Sequence, residues 1–181
     1  MLPARGRPGP RAGVLLSLAL LVLLSAGCTA LPEGLEPVRG FELERYLGRW
    51  YEIARLDHRF ERGLSRVTAD YGRRDDGGIR VLNRGYDAAA GSWKEAEGKA
   101  YFLGAGDVGS LKVSFFGPFY GGYHVLALDP EYRWALVAGP SRDYLWILAR
   151  EPELDPAVRD ALVGQAARAG FPVQGLISVA H

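Results

Sequence analysis

Few side chains in this 181-residue sequence could act as nucleophiles, metal ligands or acid–base pairs. The chain has one cysteine, Cys28, and three histidines, His58, His124 and His181. The histidines do not show the spacing of a metal site, and no serine lies in the Gly-x-Ser-x-Gly turn that exposes a catalytic nucleophile. Glu52 with a histidine could do acid–base chemistry, which leaves an enzyme as an alternative. We nevertheless predict no catalytic residue, no metal and no cofactor.

The charge balance argues against a nucleic-acid-binding protein. Lysine and arginine together number 22 and acidic residues 21, so no large basic surface is available to contact phosphates. The chain is 48% hydrophobic and contains 24 glycines. This composition is typical of one globular domain with many turns and a substantial apolar core.

The N-terminus has the features of an export signal. Three arginines precede an uncharged, mostly apolar stretch over residues 12–26, which is too short to span a bilayer with its flanks. Residues 24–28 read Leu-Ser-Ala-Gly-Cys and resemble the lipobox of bacterial lipoproteins, in which the cysteine becomes the acylated first residue. We therefore predict a signal peptide over residues 1–27 and a lipid anchor on Cys28. Thr29, in place of an aspartate, implies the outer membrane, with the protein facing the periplasm.

The rest of the chain divides into a short tether and one domain. Residues 28–40 contain proline and glycine without a clear period and predict a lipidated tether. Residues 41–181 form the predicted domain, in which β-favouring runs alternate with tight turns. The predicted strands are 49–56, 66–71, 79–86, 93–102, 110–116, 123–128, 132–138 and 144–150. Eight such strands joined by short connections can close into an up-and-down barrel that holds side chains or one small ligand.

A single helix follows the strands. Asp155 is a good N-cap, Pro156 suits the first helical position, and Gly170 ends the helix. Residues 176–179 then predict one more short strand. The helix has a modest apolar face, which favours packing on the outside of the barrel.

Three sequence features resemble the signatures of the lipocalins. They are Gly48-x-Trp50 at the first strand, the turn and strand over residues 129–135, and Arg150 at the end of the eighth strand. Longer runs resemble the bacterial outer-membrane lipocalins more closely: residues 46–71, 85–86, 98–102 and 111–150. The resemblance implies an all-β fold, an eight-stranded antiparallel up-and-down barrel with one C-terminal α-helix and a short ninth strand.

The resemblance also implies how one end of the barrel closes. In lipocalins the arginine covers the tryptophan at the closed end, so we predict that Gly48, Trp50, Glu52 and Arg150 form this closure. An inward-facing Glu52 needs a cationic partner, and Arg150 or another arginine is the natural one. A role for Glu52 in ligand binding is the alternative.

Alternation along the strands then predicts the wall of a binding cavity. If Trp50 and Arg150 face inward, so do Glu52, Ala54, Tyr144, Trp146 and Leu148. The lipocalin pattern extends this wall to Val67, Ala69, Tyr71, Val81, Asn83, Val113, Phe115, His124, Leu126, Ala135 and Val137. Such a wall is mostly apolar, and its small residues leave room for the tail of an elongated lipid.

The sequence therefore predicts a lipocalin that binds fatty acids, lysophospholipids or similar amphiphiles for lipid transport, storage or membrane maintenance. Two alternatives stay open: an enzyme acting on such lipids, and a structural lipoprotein whose barrel is filled by its own side chains. His58 and Phe60 are predicted to lie in a loop at the open end. An aromatic cluster could be core, cavity entrance or a homodimer patch: Phe115, Phe116, Phe119, Tyr120 and Tyr123.

Overall fold

Nine strands form one antiparallel sheet in a computed structural model that describes residues 29–181. The predicted signal peptide and Cys28 lie outside the described residues. In chain order the strands are β1 (Gly48–Leu56), β2 (Leu64–Arg73), β3 (Ile79–Asp87), β4 (Ser92–Phe102), β5 (Ser110–Phe116), β6 (Phe119–Leu128), β7 (Trp134–Ala138), β8 (Leu145–Ala149) and β9 (Leu176–Ser178). Each strand from β2 to β7 pairs with the next, β8 pairs with β1, and β1 pairs with β2. The predicted eight-stranded barrel with a ninth strand is confirmed.

Strand β1 has three partners because β2 and β9 share one of its edges. Residues Gly48–Tyr51 pair with β2, and Ala54–Leu56 pair with β9. The C-terminal strand thus fills the space where β1 and β2 separate. It leaves fewer backbone groups unpaired at this seam.

The helices are short and lie at the barrel's end and side. Helix α1 (Leu43–Tyr46) precedes β1, and helix α2 (Pro156–Arg168) follows β8. Asp155 caps α2 by accepting a 2.7 Å hydrogen bond from the backbone of Ala157, as the sequence predicts. A 3-10 helix, Val173–Gly175, then leads into β9. No helix in the described part of the chain is long and apolar enough to cross a membrane.

Apolar clusters lie on both faces of the barrel wall. The outer cluster lies under α2, whose Leu162 and Ala166 pack against Leu136 and Ile147. The inner cluster surrounds Trp50 and joins seven other buried residues: Phe41, Tyr46, Val125, Tyr132, Ala135, Val137 and Leu148. A second inner cluster consists of Ile79, Val81, Ala100 and Leu111, which lie on β3, β4 and β5. Together the clusters indicate which side of these strands faces the interior.

The connections between strands divide between the two ends of the barrel. The turns that follow β2, β4 and β6 lie at the end closed by α1 and Trp50. Four connections lie at the opposite end, called the mouth below: residues 57–63, 88–91, 117–118 and 139–144. Strand β6 begins at Phe119, four residues before the predicted start, because Phe119 pairs with Phe116 across a tight turn.

Candidate functional site

The closed end is built around Trp50, which has no solvent-exposed surface. Its indole N–H donates a 2.8 Å hydrogen bond to the carbonyl oxygen of Tyr46. The guanidinium carbon of Arg150 lies 4.0 Å from the centre of the Trp50 ring, within cation–π range. Gly48 has a φ of +90°, a conformation that side chains rarely adopt, and this allows the close turn into β1.

Arg150 also ties this end together through the backbone. It donates hydrogen bonds to the carbonyl oxygens of Arg45 (2.6 Å) and Arg49 (2.8 Å). One side chain therefore covers the indole and links the end of β8 to α1 and β1.

The strand register identifies the inward face above this floor. Residues paired across neighbouring strands point to the same side of a sheet. Trp50 pairs with Ala69, and Ala69 pairs with Asn83. By the strand pairs and the inner clusters, ten of the predicted wall residues face the interior. They are Val67, Ala69, Tyr71, Val81, Asn83, Val113, Phe115, Ala135, Val137 and Trp146. Tyr144 stacks on Trp146 just before β8 begins, with ring centres 6.2 Å apart.

The predicted inward direction of His124 and Leu126 is wrong. On β6 it is Tyr123 and Val125 that belong to the inner cluster, so their neighbours point outward. Leu126 packs in the outer cluster. Nδ1 of His124 lies 2.8 Å from the hydroxyl of Ser110.

His124 is buried even though it faces outward, because residues 29–30 lie over it. Burial lowers the pKa of His124, and nearby backbone groups of Ala30 and Thr29 oppose that shift. The histidine therefore contacts the N-terminal segment and is remote from the lumen.

A β-bulge reverses the predicted direction of Ala54. The register between β1 and β8 shifts between Glu52 and Ala54, so one extra residue is accommodated there. Glu52 pairs with the inward residue Leu148, whereas Ala54 pairs with the outward residue Ile147. Arg55, which the alternation predicts to point outward, consequently faces the interior.

Of the predicted partners, Arg150 or another arginine, the structure pairs Glu52 with another arginine, Arg55. The two side chains are 3% and 2% exposed, and Nη1 of Arg55 donates a 2.7 Å hydrogen bond to Oε1 of Glu52. Arg55 also donates to the carbonyl oxygens of Glu61 (2.8 Å) and Leu64 (3.2 Å). Glu52 therefore belongs to a cluster that holds the loop of residues 57–63 and takes no part in the closed-end contacts of Arg150.

Two side chains of that loop complete the cluster. Oε2 of Glu61 accepts a 3.1 Å hydrogen bond from the indole of Trp146 and lies 3.0 Å from Nε2 of His58. The imidazole of His58 also packs edge-on against the Trp146 ring. The polar cluster, defined as Glu52, Arg55, His58, Glu61 and Trp146, therefore spans from the barrel wall to the mouth.

The two carboxyl groups of the polar cluster have opposite pKa shifts. Burial, and next the negative charge of Glu61, raise the pKa of Glu52 well above its ordinary value. Burial also pushes the pKa of Glu61 upward, but contacts from His58 and Trp146 outweigh it and lower that pKa. Glu52 is therefore the carboxyl that holds a proton more readily, which reduces the negative charge buried beside Arg55.

A second polar group lies lower in the barrel. The hydroxyl of Tyr123 is 2.6 Å from that of Tyr46 and accepts a 2.9 Å hydrogen bond from Tyr71. Burial raises the pKa of all three phenols, so they stay neutral. They border a small apolar void of about 10 Å³ that is also lined by Phe41, Leu43, Ile79, Ala100, Leu111 and Val113.

The five clustered aromatics occupy three different environments. Phe115 and Tyr123 line the interior. Tyr120 lies outside the barrel near Lys112, whose ammonium group is 5.1 Å from its ring centre. Phe116 and Phe119 are 71% and 77% exposed at the mouth.

Comparison with known proteins agrees with this geometry. The family model described as a lipocalin-like domain matches residues 41–181. The outer membrane lipoprotein Blc of Escherichia coli K12 is 56% identical over 161 residues, covering 89% of this chain and 90% of that protein. Temperature-induced lipocalin-1 of Arabidopsis thaliana is 38% identical over 152 residues, covering 78% of this chain and 80% of that protein.

A solved structure shares the same fold at lower identity. Insecticyanin from the tobacco hornworm, Manduca sexta, superposes with a TM-score of 0.64 at 22% identity, covering 84% of this chain and 87% of that one. Its likeness supports the barrel architecture alone. Together with the family match over the whole barrel, these findings show that the chain belongs to the lipocalin family.

Proposed function

We propose that this chain is a lipid-anchored binding protein of the outer membrane that holds one amphiphile, such as a fatty acid or lysophospholipid, in its barrel. The observation that carries the proposal is a closed barrel whose inner wall stays partly accessible. Ala69, Val113 and Trp146 face the interior and yet retain solvent-exposed surface. A barrel packed solid by its own side chains leaves no such surface.

The distribution of polar groups supports an amphiphile over a purely apolar ligand. The lower part of the barrel, near the floor, is lined mainly by apolar groups, which are the groups that contact an acyl chain. The polar cluster lies above it, towards the mouth. Oδ1 of Asn83 also faces the interior, buried and without a hydrogen-bond partner among the described residues. A ligand head group that donates a hydrogen bond would satisfy this oxygen.

The location rests on the N-terminal sequence and on the relatives. The lipobox-like residues that end at Cys28 support acylation of that cysteine. Bacterial relatives that are 55% to 56% identical are named outer membrane lipoproteins, which supports the same location here. Transport, storage and membrane maintenance are the physiological roles that fit an anchored lipid carrier.

The two carboxyl groups of the polar cluster are the residues on which the alternative function, an enzyme acting on lipids, would depend. Two buried carboxyl groups with opposite pKa shifts are a pattern used in acid–base catalysis. In this barrel, however, both carboxyls are engaged by Arg55, Trp146 and His58. We therefore assign the cluster to head-group contacts and to holding the loop.

We predict that Trp146→Ala weakens binding of a fluorescent fatty acid about tenfold or more while the protein stays folded. The indole covers part of the inner wall, and loss of a large apolar contact of about 1.5 kcal/mol or more gives an effect of this size. Fluorescence titration measures the affinity, and circular dichroism checks the fold. Trp93→Ala is the matched control, because that indole lies outside the barrel and is 47% exposed. Equal affinity of the two variants would argue against a ligand in the lumen.

A further inference from the structure

Residues 29–40 follow the outer wall from the closed end towards the mouth. At the closed end, Arg39 forms an isolated β-bridge with Val108 in the turn between β4 and β5. Nearer the N-terminus, the carbonyl oxygen of Glu33 accepts a 2.8 Å hydrogen bond from Arg142, which lies in a mouth connection. The segment predicted as a tether is thus held against the barrel and runs towards the mouth.

The start of this segment lies beside the upper part of β6. A Cβ atom on Gly122 would come within 3.0 Å of the carbonyl oxygen of Thr29, so the two backbones are closely packed. Gly122 is three residues from Phe119, the first residue of β6 at the mouth, which is about 10 Å along a strand. Cys28 immediately precedes Thr29. Acyl chains on Cys28 would therefore begin one residue from a point near the mouth.

The mouth also carries the exposed aromatic side chains. Six large apolar side chains are strongly exposed in residues 29–181, and two of them, Leu103 and Ile177, are aliphatic. The other four are aromatic and lie at the mouth end: Phe60, Trp93, Phe116 and Phe119. Residues 116–119 carry no charge. An exposed tip of this kind on a water-soluble surface indicates a contact site.

Cations lie next to two of these rings. The guanidinium carbon of Arg59 is 4.8 Å from the centre of the Phe60 ring, and that of Arg84 is 5.2 Å from Trp93. Aromatic rings beside basic groups are characteristic of surfaces at the level of lipid head groups, where rings contact acyl chains and cations contact phosphate.

We propose that the barrel docks mouth-down on the bilayer that holds its anchor, with Phe60, Trp93, Phe116 and Phe119 inserted at head-group level. The inference rests on the proposed acylation of Cys28, which fixes the mouth end near the membrane. In this orientation an amphiphile passes between the bilayer and the lumen without crossing bulk water. A second copy of the chain could cover the same aromatics, and the test below distinguishes that case.

The orientation is tested with the full-length lipoprotein on vesicles of phosphatidylethanolamine and phosphatidylglycerol that contain a nitroxide-labelled lipid. Cys28 is the only cysteine, so an added cysteine gives a single labelling site once Cys28 is acylated. A fluorophore is attached at Phe119→Cys at the mouth or at Leu103→Cys at the closed end, where Leu103 is 41% exposed. We expect strong loss of fluorescence at position 119 and little at position 103.

Each outcome has a separate meaning. Equal quenching at the two positions, or stronger quenching at 103, overturns the orientation while co-flotation with the vesicles upholds the anchor. If the emission at position 119 shifts as in an apolar environment but is not quenched by the nitroxide, a second copy of the chain covers the mouth. This outcome also overturns the proposed orientation. Failure to float with the vesicles overturns the anchor and the orientation together.

A second variant tests lipid exchange without altering the lumen. Phe116→Ser combined with Phe119→Ser removes two inserted rings that do not line the interior. We expect transfer of a fluorescent fatty acid from vesicles to slow about tenfold, because both rings lose their contact with the bilayer. Affinity for the same fatty acid supplied in solution should stay unchanged. Unchanged transfer contradicts the docked orientation, whereas loss of solution binding contradicts the proposed function.

Discussion

Arg55→Met lowers the free energy of unfolding by about 3–5 kcal/mol at neutral pH, although methionine is similar in length to arginine. The substitution removes the cation beside buried Glu52 and leaves the carbonyl oxygens of Glu61 and Leu64 without their donor. Each unpaired buried oxygen costs about 1–3 kcal/mol. Urea denaturation monitored by circular dichroism measures the change.

The difference in unfolding free energy between Arg55→Met and the wild type becomes smaller as the pH falls. Arg55 is one of the groups that lower the pKa of Glu52, so its removal raises that folded-state pKa further above the unfolded value. A raised carboxyl pKa stabilises the fold at pH values below the unfolded pKa, and this stability is lost as the pH rises through the folded pKa. Stability measured at acid and neutral pH therefore differs more in the variant than in the wild type.

Glu52→Gln is the matched control for this prediction. Its side-chain oxygen can still accept from Arg55, and its amide can replace the proton that the raised pKa keeps on Glu52. We expect near wild-type stability and lipid retention. A loss as large as that of Arg55→Met would contradict the assignment of the proton to Glu52. Loss of a hydrolytic activity with lipid retained would favour the enzyme alternative.

Trp50→Ala is expected to cost about 3–5 kcal/mol of unfolding free energy, because it empties the centre of the closed end. The indole is fully buried, packs on Tyr46 with ring centres 4.6 Å apart, and lies under Arg150. The loss also removes a cation–π contact of about 0.5–2 kcal/mol. Thermal and urea unfolding both measure the loss of stability in this variant.

Two further variants separate the floor of the barrel from its wall. Arg150→Ala loses the contact over Trp50 and three hydrogen bonds to backbone carbonyl oxygens, so it should lower stability as Trp50→Ala does, though by less. Trp146→Ala lies on the partly accessible wall and should affect binding more than stability. An equal loss of melting temperature in all three variants would contradict this division of roles.

Local sequence patterns were sufficient to predict the barrel. Alternating β-forming residues and Asp-Gly or Gly-Pro turns mark the strands, and Asp155 with Pro156 marks the start of α2. The resemblance of Gly48-x-Trp50 and Arg150 to lipocalin signatures then implied which end closes. Alternation from Arg150 gave the inward face of β8, and the lipocalin pattern extended it to β2, β3, β5 and β7.

The polar cluster could not be predicted because it depends on a bulge and on a loop. An extra residue in β1 changes the direction of every later side chain, and nothing in Glu-Ile-Ala-Arg marks where it occurs. Arg55 is also a charged residue in a buried position, against the usual preference. On β6, Gly121 and Gly122 offer no side chains to set the alternation, and the predicted direction of His124 was therefore wrong.

The most direct test of the central claim is mass spectrometry of lipid released from the purified full-length protein under native conditions. A barrel with an accessible lumen predicts about one amphiphile per chain, displaced by an added fatty acid and depleted in Trp146→Ala. Recovery of no lipid beyond the acyl chains on Cys28, together with no uptake of added fatty acid, would contradict the account. That result would instead favour a barrel filled by its own side chains.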